Sequence, residues 1–257
     1  MTNSTDSTHS TDLTRRAPED ALAFAEDYAR LNAEDRKRRA AEALRDAFLP
    51  GPEDAETRQA AREALWALTC SHVLTYGKKG LRVSEHTLAQ YRRGLDALVS
   101  WCESAGVKPH HIDTLAAKRY TRHLEALGLA PATVNARLSG ARAFMAALVW
   151  AGMMTADPFA REAVPDPTPA YEKRAPYTRH ELDLLLAAAT STERALVLVA
   201  ADAGLRASEA VALEWSDVDL PGRRLVVRAG KGGKRRTVAL TERCAEALAA
   251  LAPAPSG

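Results

Sequence analysis

From Ser84 to Trp150 the apolar residues recur in three- and four-residue steps, the period of helices buried along one side. Ser84 can cap a helix whose inward positions are Leu88, Tyr91, Leu95, Leu98 and Trp101 or Cys102, closed by Gly106. Thr114 can cap a second, with Leu115, Tyr120, Leu124 and Leu127 inward and Gly128 as its left-handed stop. Pro131 suits the first turn of a third, striped by Val134, Leu138, Ala141, Met145 and Leu148 and ended by Gly152. Asp157-Pro158 opens a short fourth turn. Upstream, helix-like runs from Pro18 to about Leu49 and from Asp54 to Tyr76 flank the breaker Pro50-Gly51-Pro52, and residues 1–17, Ser/Thr-rich and aperiodic, read as a disordered tail.

Beyond a proline-rich linker over 163–177 the pattern changes twice. Thr178-Arg-His-Glu181 spells a capping box before a leucine-rich helix, Leu182 to Ala189. A very apolar helix over Thr192–Ala203, expected to be buried on most sides, and a third over Ser208–Trp215 follow. After Asp217 the period falls to two. Arg224–Arg228 and Arg236–Leu240 read as strands joined by Gly230-Lys-Gly-Gly-Lys234, and Thr241 caps a final helix. The fold class is mainly α: a helical domain, then a mixed α/β part with a small antiparallel β-hairpin.

Composition narrows the possible partners. The chain has 257 residues, enough for two domains, and no apolar run long enough to cross a membrane. Its N-terminus lacks a secretory signal, and three scattered cysteines form neither a disulfide framework nor a zinc motif, so a reducing cytoplasm is expected, with no metal and no cofactor. Net charge is only +2, yet it is −4 over residues 1–70 and +5 over residues 71–164. Between Arg223 and Arg243 eight basic residues face one acid, Glu242. Two local basic surfaces on a near-neutral chain suit a polyanion, the alternative being solvated charge on helix faces.

The chemistry concentrates after Ala203. Gly204, ending an apolar helix, can turn the chain through a left-handed conformation and set Arg206 at a junction. A guanidinium fixed there offers a fork of donors suited to phosphate oxygens, with Glu209 three residues on to hold it. The plainer possibility is a helix-end cation paired with Glu209. Lys231, Lys234, Arg235 and Arg236 crowd a glycine-rich turn narrow enough to enter a DNA groove, or simply form a solvated basic turn. The Gly230–Lys234 spacing is not that of a P-loop.

Gly204-Leu-Arg-Ala-Ser-Glu209, Leu213-Glu-Trp-Ser-Asp-Val-Asp219 and Gly230-Lys-Gly-Gly-Lys-Arg-Arg-Thr-Val-Ala-Leu240, in that order, resemble the tyrosine recombinases, or phage integrases, of the XerC/XerD type. Thr87, Tyr91, Leu95 and Trp101, with Leu129-Ala-Pro-Ala-Thr-Val-Asn-Ala-Arg-Leu138, resemble that family's core-binding domain. The resemblance implies a SAM-like helical DNA-binding domain over 77–162, a helical extension over 18–76, and the N-terminal part of a catalytic domain over 178–251, followed by a short tail. It implies that Arg206 binds the scissile phosphate and that Lys231 acts at the leaving 5′ oxygen, with Glu209 in support. Thr87, Tyr91, Arg137, Arg142, Lys173, Arg174, Lys234, Arg235 and Arg236 would contact DNA, and the protein would self-associate on it.

The family also uses a His-x-x-Arg pair and a late tyrosine nucleophile. Here all six tyrosines and all seven histidines precede Arg206. Tyr91 and Tyr120 fall on apolar stripes and read as core. The chain is therefore expected to be a truncated catalytic domain that binds DNA without cleaving it alone, with leucines over 182–186 and 196–205 left uncovered. A non-enzymatic DNA-binding regulator or accessory protein of the same fold is the alternative. A helical interaction protein is a third reading.

Overall fold

The computed structural model describes residue 26, residues 28–169, residue 172, residues 175–228 and residues 235–253. Lys173, Arg174, Lys231, Lys234 and the terminal tails lie outside the described residues. Two compact units divide the chain at Pro169.

The first unit is helical: α1 (Ala33–Asp46), α2 (Ala55–Tyr76), α3 (Glu85–Ala105), α4 (Thr114–Ala126) and α5 (Pro131–Trp150). They share one core, in which Leu44, Leu65, Leu95, Leu138, Phe144 and Phe159 are fully enclosed. The run expected from Pro18 to Leu49 breaks at Asn32. The Asn32 side chain accepts from the Asp35 N–H at 2.9 Å and so starts α1 afresh. Ser84 caps α3 as expected, and Gly106, Gly128 and Gly152 all take positive φ.

Helix α4 departs from its expected face. Asp113, not Thr114, is the cap, accepting from the Ala116 N–H at 2.7 Å. The buried positions are Ala116, Ala117, Tyr120, Thr121 and Leu124, and both Leu115 and Leu127 are exposed. Five residues separate Leu115 from Tyr120. At 100° per residue that step lands on another face, whereas Ala116 and Ala117 precede Tyr120 by four and three.

α3 and α5 cross backbone to backbone. A Cβ on Gly94 would lie 2.6 Å from the Gly140 Cα, and one on Gly140 would lie 2.6 Å from the Tyr91 carbonyl oxygen. The turn after α5 is tied down in turn. Asn135 exchanges two hydrogen bonds with the Val164 backbone, at 2.8 and 3.0 Å, so the chain is anchored as far as Val164.

The second unit holds α6 (Arg179–Ala188), α7 (Ser191–Ala201), α8 (Ala207–Val211), β1 (Val218–Asp219), β2 (Arg224–Val227), β3 (Arg236–Ala239) and α9 (Glu242–Ala249). The strands form an antiparallel sheet in sequence order, with Leu225 opposite Val218 and Val238, and Val227 opposite Arg236. Its core gathers Leu186, Leu198, Leu205, Leu225, Val227 and Leu248. The Thr178–Glu181 capping box forms, and a second, Thr190–Glu193, opens α7.

Two expectations are corrected. Helix α7 is not buried on most sides: only Ala195, Leu198 and Val199 are enclosed, and Leu196 is exposed. The helix expected over Ser208–Trp215 stops at Val211 and gives way to a 3-10 turn over Trp215–Asp217. There the Asp217 carboxylate accepts from the Glu214 N–H at 3.1 Å and pairs with Arg228 at 2.9 Å, which tightens the chain and leads it into β1.

Candidate functional site

Gly204 has φ +65° with nothing within 4 Å of the place its Cβ would take, so backbone conformation alone demands glycine there. The Leu205 N–H returns to the Val199 carbonyl at 3.1 Å, closing α7 and delivering Arg206 in an extended conformation just before α8.

Glu209 lies beneath it, buried. Its carboxylate accepts from the Arg206 backbone N–H at 2.9 Å and from Arg206 Nη1 at 2.8 Å. It also accepts a two-pronged contact from Arg236, Nη1 at 2.9 Å and Nη2 at 2.7 Å. Two cations thus surround one anion, and each oxygen takes two donors. The Arg236 guanidinium foremost, with the Arg206 N–H and guanidinium, holds the Glu209 carboxyl down at about 2 against the opposing effect of burial. The carboxylate therefore stays charged through the physiological range, and the cluster carries one net positive charge. The Arg206 side chain is 57% exposed and, among the described residues, bonds only to Glu209 through Nη1. Its Nε and Nη2 make no bond among the described residues, an arrangement that can receive two oxygens of an anion.

The rest of the late basic run is mostly neutralised within the unit. Arg228 pairs with Glu214 and Asp217, Arg224 with Asp219, Arg223 with Glu242, and Arg243 with Asp202. Arg236, read from sequence as a DNA contact, is turned inward onto Glu209. Arg235 is exposed and makes no ion pair among the described residues. Lys231 and Lys234 fall outside those residues, so the expected partnership of Lys231 with Arg206 has no geometry here. The helix that follows Arg206 has only five residues.

In the helical unit, two of the candidates, Tyr91 and Arg137, flank the α3–α5 crossing. Thr87 shares a hydroxyl contact with Ser84 at 3.0 Å, and Tyr91 packs half-buried beside Leu88. The Arg137 carbonyl would meet a Gly94 Cβ at 2.7 Å, which sets Arg137 beside the crossing. Arg142 is engaged otherwise: it donates to the carbonyl oxygens of Phe159, at 3.0 Å, and of Glu162, bracing the turn after α5. A residue with its donors committed to backbone has few left for a ligand. Tyr120 is buried with Trp101 and Phe159 around it, and burial raises its hydroxyl well above the ordinary range, so it is core.

Sequence reasoning missed the glycine pair and the inward role of Arg236. Glycine inside a regular helical stripe costs about 1 kcal/mol over alanine and so marks close backbone approach, a signal both Gly94 and Gly140 carried. No local signal pairs residues 209 and 236. No group of three or more metal-ligating side chains occurs among the described residues, and burial lifts the Cys70 and Cys102 thiols to about 12 and Cys244 to about 11, away from thiolate chemistry.

Comparison with known proteins agrees with this layout. Residues 78–152 match the model for the phage integrase N-terminal SAM-like domain, and residues 177–253 match the phage integrase family. The chain is 33% identical over 184 residues to the tyrosine recombinase XerC of Xanthomonas campestris pv. campestris, covering 66% of this chain and 53% of that protein. It is 30% identical over 177 residues to the tyrosine recombinase XerD of Caulobacter vibrioides, covering 65% and 56%. It thus spans little more than half the length of these relatives. The fold resembles that of the Tn1549 transposon integrase, solved with a circular intermediate DNA, at a TM-score of 0.53 and 16% identity over 72% of this chain and 64% of that one. No described helix is long and apolar enough to cross a membrane. With both family models matched in order, over more than half of its length, the chain belongs to the phage integrase, or tyrosine recombinase, family.

Proposed function

We propose that this chain binds duplex DNA and holds one backbone phosphate on Arg206. The observation that carries this reading is the half-exposed guanidinium braced on a buried, fully bonded carboxylate, with donors to spare. Oriented cations are what phosphoryl transfer asks of a protein, because the charge of the transition state sits on the phosphate oxygens. In a complete recombinase, Arg206 would stabilise that charge and Lys231 would serve the leaving 5′ oxygen while a tyrosine takes the 3′ phosphate. No tyrosine follows Tyr177 in this sequence, and DNA binding is the part of that activity assigned to this chain. Thr87, Tyr91 and Arg137, on α3 and α5, form the second contact surface, and Lys173, Arg174, Lys234 and Arg235 add backbone contacts. Self-association accompanies binding along the DNA, and the work is done in the cytoplasm, where buried free thiols persist.

The test is duplex binding by fluorescence anisotropy across a salt series. Affinity should fall linearly in log–log form, by about 0.9 in slope per phosphate engaged. Arg206→Ala should weaken binding of all sequences alike and lower that slope by about one. A nicked suicide substrate should trap no covalent adduct. Salt-insensitive, negligible affinity would remove the DNA reading, and a covalent band would restore catalysis to this chain.

A further inference from the structure

Arg236 sits at the first position of β3, 27 residues beyond Glu209, and places both terminal nitrogens on that buried carboxylate. We propose that Arg236 is a positioning residue: by occupying one flank of Glu209 it limits Arg206 to a single side-chain bond and keeps the other Arg206 donors turned outward for a phosphate. The inference rests on the reading of Arg206 given above and removes Arg236 from the set of DNA contacts.

The reasoning is one of donor supply. A carboxylate offers about four lone-pair sites. Here all four are filled, two by Arg236, one by the Arg206 N–H and one by Arg206 Nη1. Without Arg236, two sites on a buried anion fall empty, and an unpaired buried acceptor is costly. The nearest free donors belong to Arg206, three residues away. The Arg206 fork would then close on Glu209 in a two-pronged pair and withdraw from solvent. Arg236 also ties the start of β3 to α8.

Arg236→Gln and Arg236→Lys in the full chain test this, the lysine variant retaining charge and one bond and serving where glutamine lowers stability. Without DNA, the Arg206 side-chain nitrogens are followed by NMR, with Arg206→Ala giving the assignment. In Arg236→Gln the Arg206 Nη signals should shift and exchange more slowly, as expected of a guanidinium locked in a two-pronged pair, and Arg236→Lys should fall between. Unchanged Arg206 signals in both variants overturn the proposal whether or not the chain binds DNA. With duplex DNA, Arg236→Gln should weaken binding about ten-fold, with partial rescue by lysine, and should have no further effect in an Arg206→Ala background. The salt slope should stay that of the parent with Arg206 present. A slope lowered by about 0.9, with losses that add to those of Arg206→Ala, would show Arg236 meeting a phosphate itself and overturn the proposal. If Arg206→Ala leaves affinity untouched, the phosphate reading fails separately, and the DNA-free comparison still decides whether Arg236 governs the Arg206 side chain.

Discussion

Glu209 is the residue on which the second unit's charge turns. Its carboxyl titrates at about 2 in the folded chain, against 4.5 for an unperturbed glutamate, with Arg236 the foremost cause. A folded-state value below the unfolded one means that folding favours the ionised form. The resulting stability is fully present above about pH 4.5 and is lost as pH falls through the folded value near 2. Glu209→Gln should therefore destabilise the unit at pH 7, and the gap between the two proteins should narrow as pH falls from 4.5 toward 2. Urea midpoints at pH 7, 4.5 and 3 measure it; a gap that is the same at pH 3 as at pH 7 would rule out the carboxylate as the source. The Arg206–Glu209 half of this cluster was legible, because three residues bring the two onto neighbouring faces of one turn. The Arg236 half was not, since its partner is chosen by where β3 lands in the sheet, opposite Val227. The same long-range pairing explains why a basic run that looked like a nucleic-acid surface is largely balanced by Glu214, Asp217, Asp219, Glu242 and Asp202.

At the scale of elements, local signals located the helices and tertiary contacts decided their faces. Because each follows unbroken three- and four-residue steps, the stripes of α3 and α5 are buried as their spacing says, except that Tyr91, read as core, is only half-buried. In α4 the five-residue step from Leu115 to Tyr120 breaks the stripe, and the alanines beside it supply the true face. The Thr190–Glu193 box is spelled as plainly as Thr178–Glu181, whereas β1, two residues long, exists only through its pairing with β2 and has no pattern of its own. The α3–α5 crossing is where element packing is tightest. Gly94→Ala would set a methyl 2.6 Å from the Gly140 Cα and 2.7 Å from the Arg137 carbonyl oxygen, and backbone atoms cannot rotate aside. Overpacking of this kind costs about 1–3 kcal/mol or more. Gly106→Ala makes a useful control, since open space surrounds it and only its φ of +65° resists the change, at about 1 kcal/mol. Thermal melts should rank Gly94→Ala well below Gly106→Ala, each kcal/mol lowering the midpoint by about 2–4 °C. Equal losses would mean that the helices move apart for no more than the strain at Gly106.

Across the whole molecule both units leave some large apolar side chains uncovered, and in the second they cluster in sequence on one helix. The helical unit encloses most of its large side chains but exposes Tyr76, Leu81, Leu115 and Leu127, while the second leaves Leu184 57% and Leu196 47% exposed, with Leu185 and Val211 also open to solvent. In α6 only Leu186 is buried and Leu182 packs half-buried against the core, so two of the helix's four leucines are left to solvent. That uncovered face was legible from sequence as a leucine-rich helix, though Leu198 and Leu205, expected to share the exposure, are enclosed. Contiguous exposed apolar surface drives association and dye binding. The chain should accordingly bind a hydrophobic dye at neutral pH and show a mass that rises with concentration in light scattering. Leu184→Gln with Leu185→Gln should reduce both signals. Because neither side chain is buried, the melting midpoint should change by no more than a surface substitution does, within about 0.5 kcal/mol. Leu186→Ala provides the opposite case: it removes a buried contact, should lower the midpoint, and should raise dye binding rather than reduce it. Dye binding that persists undiminished in the double glutamine variant would place the sticky surface elsewhere than on α6. A fall in dye binding together with a collapse of the midpoint would mean that Leu184 and Leu185 are covered in solution, by a second copy of the chain already seated on that face.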